Sequence, residues 1–144
     1  MKNMIRTKIC ENLNDTYSFA ENLAQELQAG DVIALYGNLG AGKTAFVQGI
    51  AIGLGYSEPV TSPTYALWQI YEGGRLTIHH FDLYRLDTVE QVYAIGFYDA
   101  VDSDGVTLIE WPERLGDELP VPRINVYINR IDEAKRSICV EGLK

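Results

Sequence analysis

Eight consecutive residues constrain this chain more than anything else in it: Gly37-Asn38-Leu39-Gly40-Ala41-Gly42-Lys43-Thr44 fits G-x-x-x-x-G-K-[ST] without a mismatch. Each position has a physical task. Gly37, Gly40 and Gly42 allow torsions that residues with side chains resist, so successive N–H groups can turn inward around phosphate oxygens. Lys43 offers a point charge to the β- and γ-phosphates of a nucleotide, and the Thr44 hydroxyl offers a ligand to Mg²⁺. The flanks suit the motif. Val32-Ile33-Ala34-Leu35-Tyr36 is a continuous apolar run, as expected of a strand buried on both faces of a parallel sheet. Phe46, Val47, Ile50, Ala51 and Leu54 then mark one face of a helix, which Gly53 and Gly55 are expected to close. Such a helix directs the positive end of its dipole at the phosphates. Lys43 is also the only lysine between Lys8 and Lys135.

The rest of the chain fits one domain over residues 1–144, since this length buries roughly 68–70% of its unfolded surface. Lys8-Ile9-Cys10 reads as a short first strand. Asn14, Asp15 or Thr16 then caps a helix whose Phe19, Ala20, Leu23, Ala24 and Leu27 share a face, ending at Ala29-Gly30-Asp31. Thr64 to Tyr71 and Arg75 to Asp82 read as strands joined at Gly73-Gly74. A helix is expected from Asp87 to Ile95, capped by Asp87. Val106-Thr107-Leu108-Ile109 reads as another buried strand, and Ile124–Ile131 and Ser137–Val140 as late ones. Buried parallel-type runs mixed with hairpins predict an α/β fold of P-loop NTPase type, a mixed sheet with helices on both faces.

Twelve basic against twenty acidic residues give a net charge of −8, which argues against a free-standing nucleic-acid binder. No apolar run approaches the ~20 residues of a membrane span, and the first residues lack the apolar stretch of a signal peptide. The expected location is the cytoplasm. Cys10 and Cys139 stand in no metal-binding spacing, and the adjacent His79 and His80 point to opposite faces of a strand, a poor chelating pair.

A P-loop enzyme also needs an acidic residue near its metal, usually at the end of a buried strand. Glu110 follows Val106–Ile109, and Asp82 follows Ile78-His79-His80-Phe81. The more apolar strand makes Glu110 the candidate for the metal, leaving Asp82 to position water or sense the γ-phosphate. The hydroxyl-rich Thr61-Ser62-Pro63-Thr64 is a candidate switch loop. Guanine reading normally requires N-K-x-D, which is absent, so ATP is the expected nucleotide. A small-molecule kinase and a non-hydrolysing nucleotide-sensing module stay open as alternatives.

Taken in order, G-N-L-G-A-G-K-T, T-S-P-T-Y, H-F-D-L-Y-R-L and I-E-W-P-E resemble the TsaE family of bacterial ATPases. The resemblance implies an accessory ATPase in forming N6-threonylcarbamoyladenosine at position 37 of tRNAs that read codons beginning with A. It implies action with the TsaB–TsaD complex, meeting tRNA mainly through those partners. By residue, it implies that Lys43 and Thr44 bind phosphate and Mg²⁺, that Glu110 joins the metal and that Asp82 serves hydrolysis. Thr61, Ser62 and Thr64 then belong to the switch-like loop and Trp111 lies beside the nucleotide. Thr16 and Arg136 flank its base or phosphates.

Overall fold

Strand β2 (Val32–Tyr36) is the axis of the molecule, and its burial on both faces follows from the unbroken apolar run. In this computed structural model, which describes residues 4–38, 40–58, 60 and 67–143, seven strands form one sheet. They are β1 (Met4–Cys10), β2, β3 (Trp68–Tyr71), β4 (Ile78–Asp82), β5 (Val106–Glu110), β6 (Ile124–Arg130) and β7 (Arg136–Leu143). Their order is β1-β7-β6-β2-β5-β4-β3. The centre, β6-β2-β5-β4, is parallel, while β1-β7, β7-β6 and β3-β4 pair antiparallel. The sheet is mixed, as expected.

Two cores cover its faces. Helices α1 (Leu13–Ala24) and α2 (Lys43–Gly53) pack Phe19, Leu23, Phe46 and Ile50 over Ile33, Leu35 and Leu108. The other face carries α3 (Val89–Ala94), α4 (Phe97–Val101) and a 3-10 segment, Pro112–Glu118. These seat Val92, Phe97 and Leu115 over Ala34, Phe81 and Ile109. Alternation along each strand assigns its residues to one core or the other. Among the described residues, no helix is long and apolar enough to cross a membrane.

Several boundaries differ from the expectation, each for a local reason. β1 begins at Met4 because β7 pairs with it along its whole length. Asn12, not Asn14, Asp15 or Thr16, caps α1, accepting from the Asp15 N–H at 2.9 Å. That helix stops at Ala24, and Arg75 donates to the Ala24 and Leu27 carbonyls at 2.7 and 3.0 Å. Gly53 does not close α2 but lies within it. Gly55, at φ +87°, takes the left-handed position beyond the end. Thr88, not Asp87, caps α3, with the Gln91 side chain reaching back to the Thr88 N–H. Helix α4 and the 3-10 segment have no counterpart in the sequence reading. Residues 64–66 of the expected strand before Tyr71 lie outside the described residues.

Candidate functional site

The C-terminal ends of β2, β5 and β4 lie side by side, with Leu35 in register with Glu110 and Glu110 in register with Asp82. Open α/β sheets bind ligands at this edge. The glycine-rich segment leaves β2 here and enters α2. Gly42 precedes the helix at φ +107°, a torsion costly to any other residue, and the Gly42 carbonyl accepts from the Phe46 N–H at 3.1 Å. The Asn38 carbonyl accepts from the Ala41 N–H at 3.0 Å, closing a tight turn. Gly37 crosses β6 so closely that a Cβ there would lie 2.8 Å from the Ile128 carbonyl oxygen. Leu39 lies outside the described residues.

A cleft of about 300 Å³ opens at this edge, lined by Gly40, Gly42, Lys43, Thr44, Asp82, Tyr84, Glu110 and Trp111. A larger one, about 500 Å³, opens at the opposite end of β2 among Gly30, Val32, Val121 and Arg123. It contains none of the residues selected from sequence. The residues selected from sequence for phosphate and metal line the smaller cleft.

Lys43 dominates the electrostatics there. It is 6% exposed, and its ammonium has no hydrogen-bond partner among the described residues. The Lys43 Nζ instead lies 3.7 Å from the centroid of the Trp111 ring, a cation–π contact. Burial pushes its pKa down, while Glu110, Asp82 and Glu113 pull it back up. Burial raises the Asp82 carboxyl, and the Tyr84 N–H, donating to Asp82 Oδ1 at 3.1 Å, opposes that shift. Glu110 is 4% exposed and stands 2.6 Å from His80 Nε2 through its Oε2. Trp111 holds φ 59° and ψ 49°, an outlier for a bulky residue, and tilts against Tyr84 at 4.9 Å between ring centroids. That backbone turn swings the indole from the end of β5 over Lys43.

Of the residues selected from sequence, the cleft brings together Gly40, Gly42, Lys43, Thr44, Asp82, Glu110 and Trp111. Arg136 stands just behind the loop, where its Nε donates to the Ala41 carbonyl at 2.8 Å. Thr16 does not line the cleft; it is buried on α1, where its side chain bonds the Cys10 thiol. Thr61, Ser62 and Thr64 lie outside the described residues. Tyr84 and His80 are site residues that sequence reasoning missed. Both lie in the segment H-F-D-L-Y-R-L around Asp82, and that placement was the signal available.

The donors of the cleft are hard oxygens: the Thr44 hydroxyl and the carboxylates of Asp82 and Glu110. Among the described residues no group of three or more His, Cys, Asp or Glu could enclose a metal ion. That combination fits Mg²⁺, which keeps water and phosphate oxygens in its coordination sphere and needs only one or two carboxylates. It does not fit a closed zinc site. A buried ammonium without a hydrogen-bond partner among the described residues fits an anionic group entering with the cation.

The model of the family "Threonylcarbamoyl adenosine biosynthesis protein TsaE" matches residues 10–138. A Treponema pallidum protein named tRNA threonylcarbamoyladenosine biosynthesis protein TsaE is 39% identical over 132 residues, covering 92% of this chain and 97% of its own. The Synechocystis protein of that name is 44% identical over 107 residues, covering 72% and 68%. The crystal structure of Bacillus subtilis YdiB superposes with a TM-score of 0.81 at 29% identity, covering all of this chain and 89% of that one.

Proposed function

This chain belongs to the TsaE family, and on that premise we propose that it is a P-loop ATPase that assists tRNA modification. In the finer reading, it binds ATP with Mg²⁺ and hydrolyses it in support of the TsaB–TsaD complex. That complex forms the N6-threonylcarbamoyl group on adenosine 37 of tRNAs reading codons that begin with A. The observation that carries the reading is Lys43: a buried cation without a hydrogen-bond partner among the described residues, aimed into a cleft shared with two carboxylates. Burying a charge without a hydrogen-bond partner is costly, and a bound anionic ligand would offset that cost.

Most of the catalysis is positioning and charge. The amides from Gly40 to Thr44 and the start of α2 cradle the phosphates, and Lys43 meets the charge that grows on the departing γ-phosphoryl group. Thr44 and Glu110 would hold Mg²⁺, which when bound would add further neutralisation. Asp82, its carboxyl raised by burial, orients the attacking water and takes up its proton. Trp111 stands over Lys43 and presents an aromatic face to the nucleotide. The net charge of −8 suits a protein that meets tRNA through partners.

Incubating the protein with γ-labelled ATP, alone and with TsaB and TsaD, tests the proposal. Free phosphate released mainly with the partners is the expected result. Label passed to a small acceptor makes the protein a kinase, and tight binding without turnover makes it a nucleotide sensor. Either result overturns the assignment.

A further inference from the structure

Glu110 does not present itself to the cleft unaided. A carboxylate's last torsion is soft and nearly two-fold, so a lone Glu can offer either oxygen in a spread of orientations. Here three neighbouring strands line up a polar chain behind it, on the sheet face that carries α2. Gln69 on β3 is in register with His80 on β4, and His80 stands two residues before Asp82, which is in register with Glu110 on β5. His80 Nε2 lies 2.6 Å from Glu110 Oε2. His80 Nδ1 lies 3.1 Å from the Tyr71 hydroxyl oxygen, and that hydroxyl donates to Gln69 Oε1 at 2.6 Å.

His80 is 0% exposed, so it cannot touch a nucleotide. Both of its ring nitrogens face partners within the chain of contacts. Ile78, two residues earlier on the same face, is an apolar core residue, so the polar ring of His80 departs from the pattern of its own strand. A buried polar chain costs desolvation at every link unless its directionality is used. We propose that His80 is a positioning residue for the cation site. It donates Nε2–H to Glu110 Oε2, stops the carboxylate from turning and leaves Oε1 as the oxygen presented to Mg²⁺. Because the Tyr71 proton goes to Gln69, the Tyr71 oxygen accepts from His80 Nδ1–H, so the ring donates through both nitrogens and is held at both ends. The inference rests on the reading of Glu110 as the cation's carboxylate. Partners of this kind behind a metal ligand are typically worth 10–100-fold in metal affinity.

The test is calorimetric titration with the non-hydrolysable analogue AMPPNP, in Mg²⁺ and in EDTA. It compares wild type with His80→Leu, His80→Gln, Tyr71→Phe and Glu110→Gln, with a thermal melt of each. His80→Leu is expected to keep its affinity in EDTA and lose about tenfold of the gain from Mg²⁺. His80→Gln, whose amide N–H can stand where Nε2 stood, is expected to recover most of that gain. Tyr71→Phe, which removes one hydroxyl and keeps the ring, is expected to lose a smaller part. An unchanged Mg²⁺ gain in His80→Leu overturns the inference, as does an equal loss in EDTA, which would mark a packing role. If His80→Leu fails to fold, Tyr71→Phe decides: a full Mg²⁺ gain there overturns the proposal. Glu110→Gln separates the two readings. If it loses the Mg²⁺ gain while the His80 and Tyr71 variants keep theirs, only the positioning role falls. If it keeps the gain, the reading of Glu110 falls and the inference goes with it.

Discussion

Lys43 sets function against stability at a single side chain. Its ammonium is 6% exposed, with an indole 3.7 Å away as its near neighbour. Burial places its folded-state pKa below the unfolded value of 10.5, with the nearby carboxylates only partly opposing the shift. The unfolded chain therefore holds that proton more tightly, and the site opposes folding at neutral pH. Lys43→Met, which keeps the apolar stem and removes the charge, should raise the melting temperature of the nucleotide-free protein by about 3 °C, roughly 1 kcal/mol. The same variant should lose more than about tenfold in ATP affinity, as expected when a charge-assisted contact is removed. Melts with and without ATP·Mg²⁺ read both effects, and a nucleotide-dependent shift as large as that of wild type would refute the phosphate role. The two carboxylates should part company in the same assays. Asp82→Asn should bind ATP·Mg²⁺ like wild type yet release phosphate at least about 100-fold more slowly, because orienting water matters mainly in the transition state. Glu110→Gln should instead lose the Mg²⁺ contribution to affinity. The reverse pattern would mean that the two residues exchange roles.

The pairing of α1 with α2 shows what an element needs beyond its own pattern. Gly49 and Gly53, one turn apart on α2, face Ala20 and Ala24 on α1. A methyl at Gly53 would stand 2.6 Å from the Ala24 Cβ and 2.7 Å from the Glu21 carbonyl oxygen. Helix propensity alone favours alanine over glycine by about 1 kcal/mol, whereas overpacking costs about 1–3 kcal/mol. Because the obstacle includes backbone, the clash should win. Gly53→Ala should lower stability by about 1 kcal/mol in urea unfolding, and a stabilised variant would show that the helices can move apart. In sequence, Gly53 read as a helix stop because a glycine near a helix end has two meanings that only tertiary contact separates. The same limit explains the other differences. α1 and α2 were legible from a sustained apolar period, and β2 and β5 from short runs of the fully buried type. Helix α4 has five residues and depends on neighbours, with Tyr93 and Tyr98 both donating to Glu118. Its signal is not local. The loop and both carboxylates could be selected one by one, but the register that sets Asp82 beside Glu110 depends on strand order. The indole over Lys43 depends on a left-handed residue at Trp111 that no pattern announces.

At the scale of the whole molecule, the β3–β4 edge is tied to the chain leading into β5 by one buried histidine, and this makes stability depend on pH. Trp68 Nε1–H donates to His79 Nδ1 at 3.2 Å. On the other side, Ser103 Oγ lies 3.0 Å from His79 Nε2 while donating its own proton to the Ala100 carbonyl at 2.6 Å. The serine oxygen must therefore accept from Nε2–H, and the ring is neutral and fully paired. A second proton, on Nδ1, would confront the indole N–H and break the side-chain bond between Trp68 on β3 and His79 on β4. Burial lowers the His79 pKa below 6.5, and Glu72 opposes the shift only at a distance. The unfolded chain then binds the proton first as pH falls. The stabilisation is complete above about pH 6.5 and is lost as pH falls from there through the folded-state value. Each tenfold preference for the neutral ring is worth about 1.4 kcal/mol, or about 3–5 °C in a domain of this size. The melting temperature should accordingly drop by a few degrees from pH 7.5 to pH 5.5. His79→Gln keeps hydrogen-bonding groups at the site without titrating, so its melting temperature should fall less over the same interval. The only other histidine is His80, and it is present in both proteins, so the difference between the two slopes isolates His79. Identical slopes would show that the tie between β4 and the β5 approach does not titrate.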